Sequence, residues 1–304
     1  MTGFQGDAEQ IFQLLQQNRI VIPRRRVRST RAALGPAAAR GVVGRTGRGV
    51  PQWAPSDMSN STRWFNPESQ VGNYNSRTDT FTPVTSGAAN ALTWDGSSNA
   101  TLMTMKGIGT AIGSETINGV AYRTVQSSLT NINDASYSKT GENIFHAFCV
   151  KLASFASKGL FKVGTSSNGY QLSFDADLKP VVTFKNSTAE VSESVSTGAF
   201  AATENEFQVH VIQRNGNSLV WTINGKKCID TRTSYLGGSG NAISSLFKGF
   251  SNGTTPSYEL LEYFRSDLTA TQQMDRLKAE GYLCAKYGIT LDSDHRFRKS
   301  PPGR

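Results

Sequence analysis

Residues 207–225, FQVHVIQRNGNSLVWTING, decide the fold class. Phe207, Val209 and Val211 alternate with Gln208 and His210, and Leu219, Trp221 and Ile223 alternate with their own neighbours. A period of two is the mark of a strand, because successive side chains leave opposite faces of a pleated backbone. The second run ends in Asn224-Gly225, a dipeptide that accepts positive φ at both centres of a tight hairpin turn. This pattern predicts antiparallel strands with Trp221 in the core. His210 is expected to share the solvent face with Gln208.

Working outward, YQLSFDAD (170–177) alternates Tyr170, Leu172 and Phe174 against Gln171, Ser173 and Asp175. IFHAFCVKL (144–152) is nearly continuous apolar sequence, as a strand covered on both faces would be. Between Trp53 and Asn143 the chain is rich in Gly, Ser, Thr and Asn with scattered aromatics, so short strands and long loops are expected there. A single helix closes the pattern. Thr269-Ala-Thr-Gln272 reads as a capping box, Met274, Leu277, Tyr282 and Leu283 fall near one helical face, and Gly288 reads as the C-cap. Many short strands with one helix predict an all-β, two-sheet antiparallel sandwich.

The stretch from Tyr258 to Ile289, YELLEYFRSDLTATQQMDRLKAEGYLCAKYGI, resembles the closing strand and helix of laminin-G-like, concanavalin-A-like domains. The residues that carry the resemblance are Glu259, Glu262, Tyr263, Leu268, Thr269, Glu280, Tyr282, Leu283, Lys286, Tyr287 and Gly288. The hairpin VIQRNGNSLVWTINGKKC before them is similar to that family's strand–turn–strand. The resemblance is most specific over residues 205–290 and extends back to about residue 92. It implies a jelly roll in one domain but no single function, since such domains bind glycans, bind proteins, hydrolyse polysaccharides or serve as structural modules. The family's calcium-binding acids find no match here, and neither does the acidic strand its glycanases use. Glu259 and Glu262, three apart, are expected on opposite faces of their strand, a poor acid/base pair.

Charge is segregated along the chain. Of the 304 residues, 32 are Lys or Arg and 23 Asp or Glu, a net charge of +9. Residues 1–50 account for +7, residues 292–304 for +2, and the stretch between is neutral. The sequence therefore divides into a short amphipathic segment (1–22), an Arg/Gly/Ala-rich arm (23–52), a jelly-roll domain (53–291) and a basic tail (292–304). Composition predicts that the arm is disordered unless bound, because it holds too little apolar surface to offset the entropy of ordering. Arg24, Arg25, Arg26, Arg28, Arg31, Arg40, Arg45 and Arg48 suit a phosphate backbone, read without sequence preference. Aromatics for stacking bases are missing from the arm.

Other chemistry is sparse. Cys149, Cys228 and Cys284 are widely spaced and odd in number, so neither a disulfide framework nor a zinc site is expected, and the thiols are expected to be reduced. There is no G-x-S-x-G, H-E-x-x-H, Walker A or G-x-G-x-x-G pattern. Asp292-Ser-Asp294 begins like a calcium loop but lacks the later glycine and glutamate. His146 reads as a core histidine, and Cys149, three residues on, falls on the opposite face, so the two form no local dyad. Trp64 and Trp94 are candidates for a sugar platform. A mean hydropathy of −0.37 leaves no membrane-spanning run, and the N-terminus reads without a signal peptide.

The plan of basic arm and neutral sandwich is that of a viral structural protein: a capsid, protrusion or spike subunit made in the host cytoplasm and located in the virion. Such a protein would self-assemble or join other capsid subunits, hold nucleic acid through its arm, and need neither cofactor nor catalysis. A host glycan is a further partner the fold allows. The alternative is a lectin-like carbohydrate-binding module of a phage tail or cell-surface protein. A polysaccharide hydrolase fits least well, for want of an acid pair.

Overall fold

The structure, a computed structural model, describes residues 53–58, 62–65, 71–75, 80–83, 87–88, 91–92, 103–106, 111–127, 131–134, 143–164, 169–186, 189–193, 201–232, 244–246, 256–266 and 273–303. The amphipathic segment, the arm, Trp94 and the Thr269–Gln272 capping box lie outside these residues. The chain divides into two units, Met1–Pro36 and Ala37–Arg304, and everything described belongs to the second.

In chain order the strands are β1 (Thr62–Phe65), β2 (Val71–Asn75), β3 (Thr80–Pro83), β4 (Gly87–Ala88), β5 (Ala91–Leu92) and β6 (Met103–Lys106). They continue with β7 (Ala111–Ile117), β8 (Val120–Ser127), β9 (Asn131–Asp134), β10 (Asn143–Ala153), β11 (Gly159–Gly164), β12 (Gly169–Phe174) and β13 (Pro180–Asn186). The last are β14 (Ala189–Glu193), β15 (Phe207–Asn215), β16 (Ser218–Ile223), β17 (Lys226–Arg232), β18 (Ser244–Leu246) and β19 (Ser257–Ser266), followed by helix α1 (Gln273–Tyr287). One sheet runs β17-β16-β15-β10-β19-β8-β7-β4, with β1 also paired to β19; the other runs β14-β13-β12-β11-β18-β9-β6-β5-β2-β3. Every ladder described between these strands is antiparallel. The fold is the expected two-sheet jelly-roll sandwich with a C-terminal helix.

The central strands of the nine-stranded sheet, β15, β10 and β19, are buried on both sides. Phe148, Val150, Ile212, Trp221 and Tyr263 join Phe161, Tyr170, Leu172 and Phe184 of the opposite sheet in one apolar core. Phe145, Ala147, Cys149, Val209, Val211 and Phe264 face the other way, against Ala279, Leu283, Cys284 and Tyr287 of α1. The continuous apolar run of β10 is thus explained, because each face of that strand meets a different layer. The same fact corrects the expectation for His210, which is fully buried. Its ring stacks on Phe148 at 5.3 Å, and its Nδ1 accepts a hydrogen bond from Trp221 Nε1 at 3.3 Å. In a strand covered on both sides, alternation separates two interiors rather than inside from outside.

Helix α1 also differs from expectation. Its buried side chains are Arg276, Ala279, Glu280, Leu283, Cys284 and Tyr287, at i, i+3, i+4, i+7, i+8 and i+11, a helical face that includes two charged residues. Met274 and Leu277 are only half-buried. Counting apolar residues misplaces the face because Arg276 and Glu280 enter it as a pair, with Nη1 3.6 Å from Oε1. The helix ends as expected: Gly288 has φ +65°, and the Ile289 N–H donates to the Cys284 carbonyl at 2.8 Å.

Burial sets two measurable properties. Desolvation pushes the Cys228 thiol up to about 12 and raises Cys149 and Cys284 as well. A thiol reagent should therefore modify no cysteine of the native protein and all three in denaturant; labelling at native rates like those of free cysteine would contradict the packing. Desolvation also holds the His210 imidazole down at about 3. Between the unfolded value near 6.5 and about 3, the unfolded chain binds a proton that the folded chain does not, so stability falls as the pH falls through that window. His210→Leu should flatten the dependence of unfolding free energy on pH, measured by urea titration from pH 6 to 4, by about 1.4 kcal/mol per pH unit. An unchanged slope would place His210 in water.

Candidate functional site

Glu262, Glu280, Tyr282, Lys286 and Tyr287 of the closing strand and helix gather where α1 lies on the sheet. Glu262 of β19 is fully buried. Its Oε2 accepts from Lys286 Nζ at 2.6 Å and from the Tyr287 hydroxyl at 2.7 Å, and its Oε1 accepts from the Tyr282 hydroxyl at 3.2 Å. Burial, and then the Glu262 charge, hold both phenols well above the usual tyrosine value, so both keep the protons they donate. Glu280 forms a second such knot. It accepts from Thr222 Oγ1 at 2.6 Å and from His295 Nε2 at 2.8 Å, while the Phe297 N–H donates to His295 Nδ1. Satisfied on both oxygens and out of contact with solvent, these two carboxylates fasten helix, sheet and C-terminal segment together.

Glu259 and Glu262 do not point to opposite faces. Cys149 is opposite Glu262 while Val150 is opposite Leu260, which makes Leu261 an extra residue, a β-bulge, in β19. The bulge rephases the strand so that both glutamates face the helix side. Their partners still keep them apart, since Glu259 Oε1 lies 2.8 Å from Lys151 Nζ. The same ammonium lies 2.5 Å from Glu115 Oε1. This Glu115–Lys151–Glu259 cluster brings two carboxylates to one ammonium, and the sequence pattern does not reveal it because β7 lies far from β19 in the chain. It is poorly suited to general acid–base work. A hydrogen bond from Lys151, the largest effect, holds the pKa of the Glu115 carboxyl below its usual value, whereas glycosidases hold one carboxyl protonated.

The other candidates resolve as follows. His146 is buried, with Nδ1 2.7 Å from the Tyr263 hydroxyl, and Cys149 faces the opposite layer, as expected. Trp221 is core, also as expected. Asp292 Oδ1 accepts the Asp294 N–H at 3.1 Å in a local turn, and no group of three metal-ligating side chains forms among the described residues. Trp64 lies in β1, but its side chain, like Trp94 and Arg24, Arg25, Arg26, Arg28, Arg31, Arg40, Arg45 and Arg48, lies outside what is described.

The outer face of the ten-stranded sheet has a different character. Tyr170, Leu172, Val182 and Phe184 point into the core, which leaves Gln171 and Lys162, both half-buried, and Thr183, 8% exposed, on the other face. Register places Lys162 opposite Gln171, and Gln171 opposite Thr183. The same register row continues to Ser192 on one side and to Ser245, Asn133 and Thr104 on the other. Seven neighbouring strands thus carry one row of polar residues, about 29 Å long at the usual interstrand spacing.

No family model matches the chain, and no curated protein matches it in sequence. Among solved structures, it is similar to an arabinofuranosidase complexed with arabinofuranosyl-alpha-1,2-xylobiose, with a TM-score of 0.51 and 11% identity, over 77% of this chain and 60% of that one. A GH54 α-L-arabinofuranosidase soaked with a cyclic sulfate inhibitor also gives 0.51, at 12% identity over the same shares. Domain 4 of a GH43 extracellular arabinanase from Geobacillus stearothermophilus, in complex with arabinotriose, is more distant, with a TM-score of 0.41, 11% identity, and coverage of 52% of this chain and 75% of that one. The two arabinofuranosidases share the β-sandwich fold with this chain, which spans about 60% of their length.

The Glu262 knot can be tested directly. Lys286 has only 10% of its side chain exposed, so Glu262→Ala should cost about 3–5 kcal/mol by leaving a buried ammonium unpaired. Adding Lys286→Met should recover most of that loss in urea unfolding. A single-variant loss under about 1 kcal/mol would mean that the pair behaves as a surface one.

Proposed function

We propose that the sandwich is a non-catalytic carbohydrate-binding module that takes an extended glycan across the outer face of its ten-stranded sheet. The observation that carries this reading is the polar row through Thr183, Gln171 and Lys162, which offers hydrogen-bond donors and acceptors in a line. The row crosses the strands, as a linear polysaccharide lying on the sheet would. Supporting the non-catalytic part, Glu262 and Glu280 are buried in structural knots and Lys151 stands between Glu115 and Glu259. The sandwich fold shared with two arabinofuranosidases suggests arabinose- and xylose-containing oligosaccharides as the first ligands to try.

A second reading draws on the charge map. Nine arginines and no acid in residues 19–50, before a neutral body, favour a virion structural subunit whose arm contacts nucleic acid. The two readings are compatible in a surface protrusion that binds a host glycan.

Calorimetric titration of the full chain with arabinoxylan oligosaccharides should give saturable binding without turnover, and Lys162→Ala/Gln171→Ala should weaken it at least about tenfold, or 1.4 kcal/mol. Release of reducing sugar would sink the non-catalytic reading; an unchanged affinity in the variant would move the site elsewhere. For the second reading, full-length protein should elute as a large nucleic-acid-bearing assembly at low salt, and protein lacking residues 1–51 should not. Nucleic-acid-free monomers in both would remove it.

A further inference from the structure

The C-terminal basic segment is held in place. His295 is buried and donates to Glu280, and the Asp292 N–H donates to the Asn224 carbonyl at 2.9 Å. A Cβ added to Gly281 of α1 would stand 2.8 Å from Phe297 Cβ and 3.1 Å from Pro302 Cδ, so the segment crosses the helix where only glycine leaves room. The Trp53 N–H then donates to the Pro302 carbonyl at 3.0 Å. From this anchored backbone Arg296, Arg298 and Lys299 project into solvent. The guanidinium of Arg296 lies over the Phe297 ring at 5.8 Å, and none of the three cations forms an ion pair among the described residues. Of the acids beside them, Asp292 accepts the Asp294 N–H and Asp294 accepts from Ser293 Oγ, so each carboxylate has a local partner.

We propose that Arg296, Arg298 and Lys299 form a fixed contact for the phosphate backbone of nucleic acid, beside the point where the chain enters the sandwich. Two features favour phosphate over other anions. Two of the three cations are arginines, whose planar fork matches phosphate oxygens. Trp53, bonded to Pro302, is also only five residues after Arg48, the last of the nine arginines, and that much chain spans at most about 18 Å. Arg48 is therefore tethered within about 18 Å of Trp53 by chain length alone. This inference rests on the nucleic-acid part of the second reading and adds to it a pre-positioned site whose three charges are already held on a folded surface.

The test uses full-length protein and a fluorescently labelled single-stranded 20-nucleotide probe, with anisotropy recorded across a salt series. Removing three phosphate contacts in Arg296→Gln/Arg298→Gln/Lys299→Gln should lower the slope of log affinity against log salt by about 2. The charge-retaining Arg296→Lys/Arg298→Lys should keep it, and thermal melts of both should match wild type because the side chains are exposed. If the wild type binds and the triple variant binds with equal affinity and slope, the C-terminal contact is wrong while the arm stands. If the wild type shows no salt-dependent binding, the nucleic-acid reading itself falls. Equal losses for the probe and for a heparin oligosaccharide would assign the three cations to polyanions at large and overturn the choice of nucleic acid.

Discussion

The contact between Glu262 and Lys286 is the one on which the closing layer depends. A helix laid on a sheet of Phe145, Cys149, Val211 and Phe264 could slide, because apolar contacts are not directional. One buried carboxylate that must receive an ammonium and two phenols admits a single register. The Glu280 knot repeats the device one layer outward, joining β16, α1 and the C-terminal segment. Such groups are costly to bury, and here each carboxylate oxygen has a donor, which is the condition for burial without a large penalty.

That arrangement explains why the residues of the closing strand and helix act together. Glu262, Tyr282, Lys286 and Tyr287 are one hydrogen-bonded unit. The helix ends at Gly288, where φ is +65° and an added Cβ would stand 1.8 Å from Asn118 Nδ2. These residues close the domain and leave binding to other surfaces. Function has to be sought on surfaces they do not touch, the outer face of the ten-stranded sheet and the basic C-terminal segment.

What the sequence discloses follows from how local each constraint is. Asn224-Gly225 reveals its turn because φ of +51° and +80° is demanded within two residues. The same dipeptide at Asn118-Gly119, with φ +52° and +78°, carries the same information but is flanked by GSETI and VAYRTV, which alternate too weakly to announce strands. His210 is misread because its strand has two interiors. The Leu261 bulge, which puts Glu259 and Glu262 on one side, depends on the pairing with β10, more than a hundred residues away. The polar row is illegible for the same reason: its members sit on seven strands and share nothing but register.

The bond between Trp53 and Pro302 has a mechanical consequence. The two ends of the folded body leave it from one point, so tension applied through them does not pull along β10 and β19 in shear. Pulled from its C-terminal end, the segment parts the Trp53–Pro302 bond, then lifts Phe297 off Gly281, and then draws His295 from Glu280. Load is met in sequence, like a zip opened from its tab, and the sheets feel it only after the strap has come away.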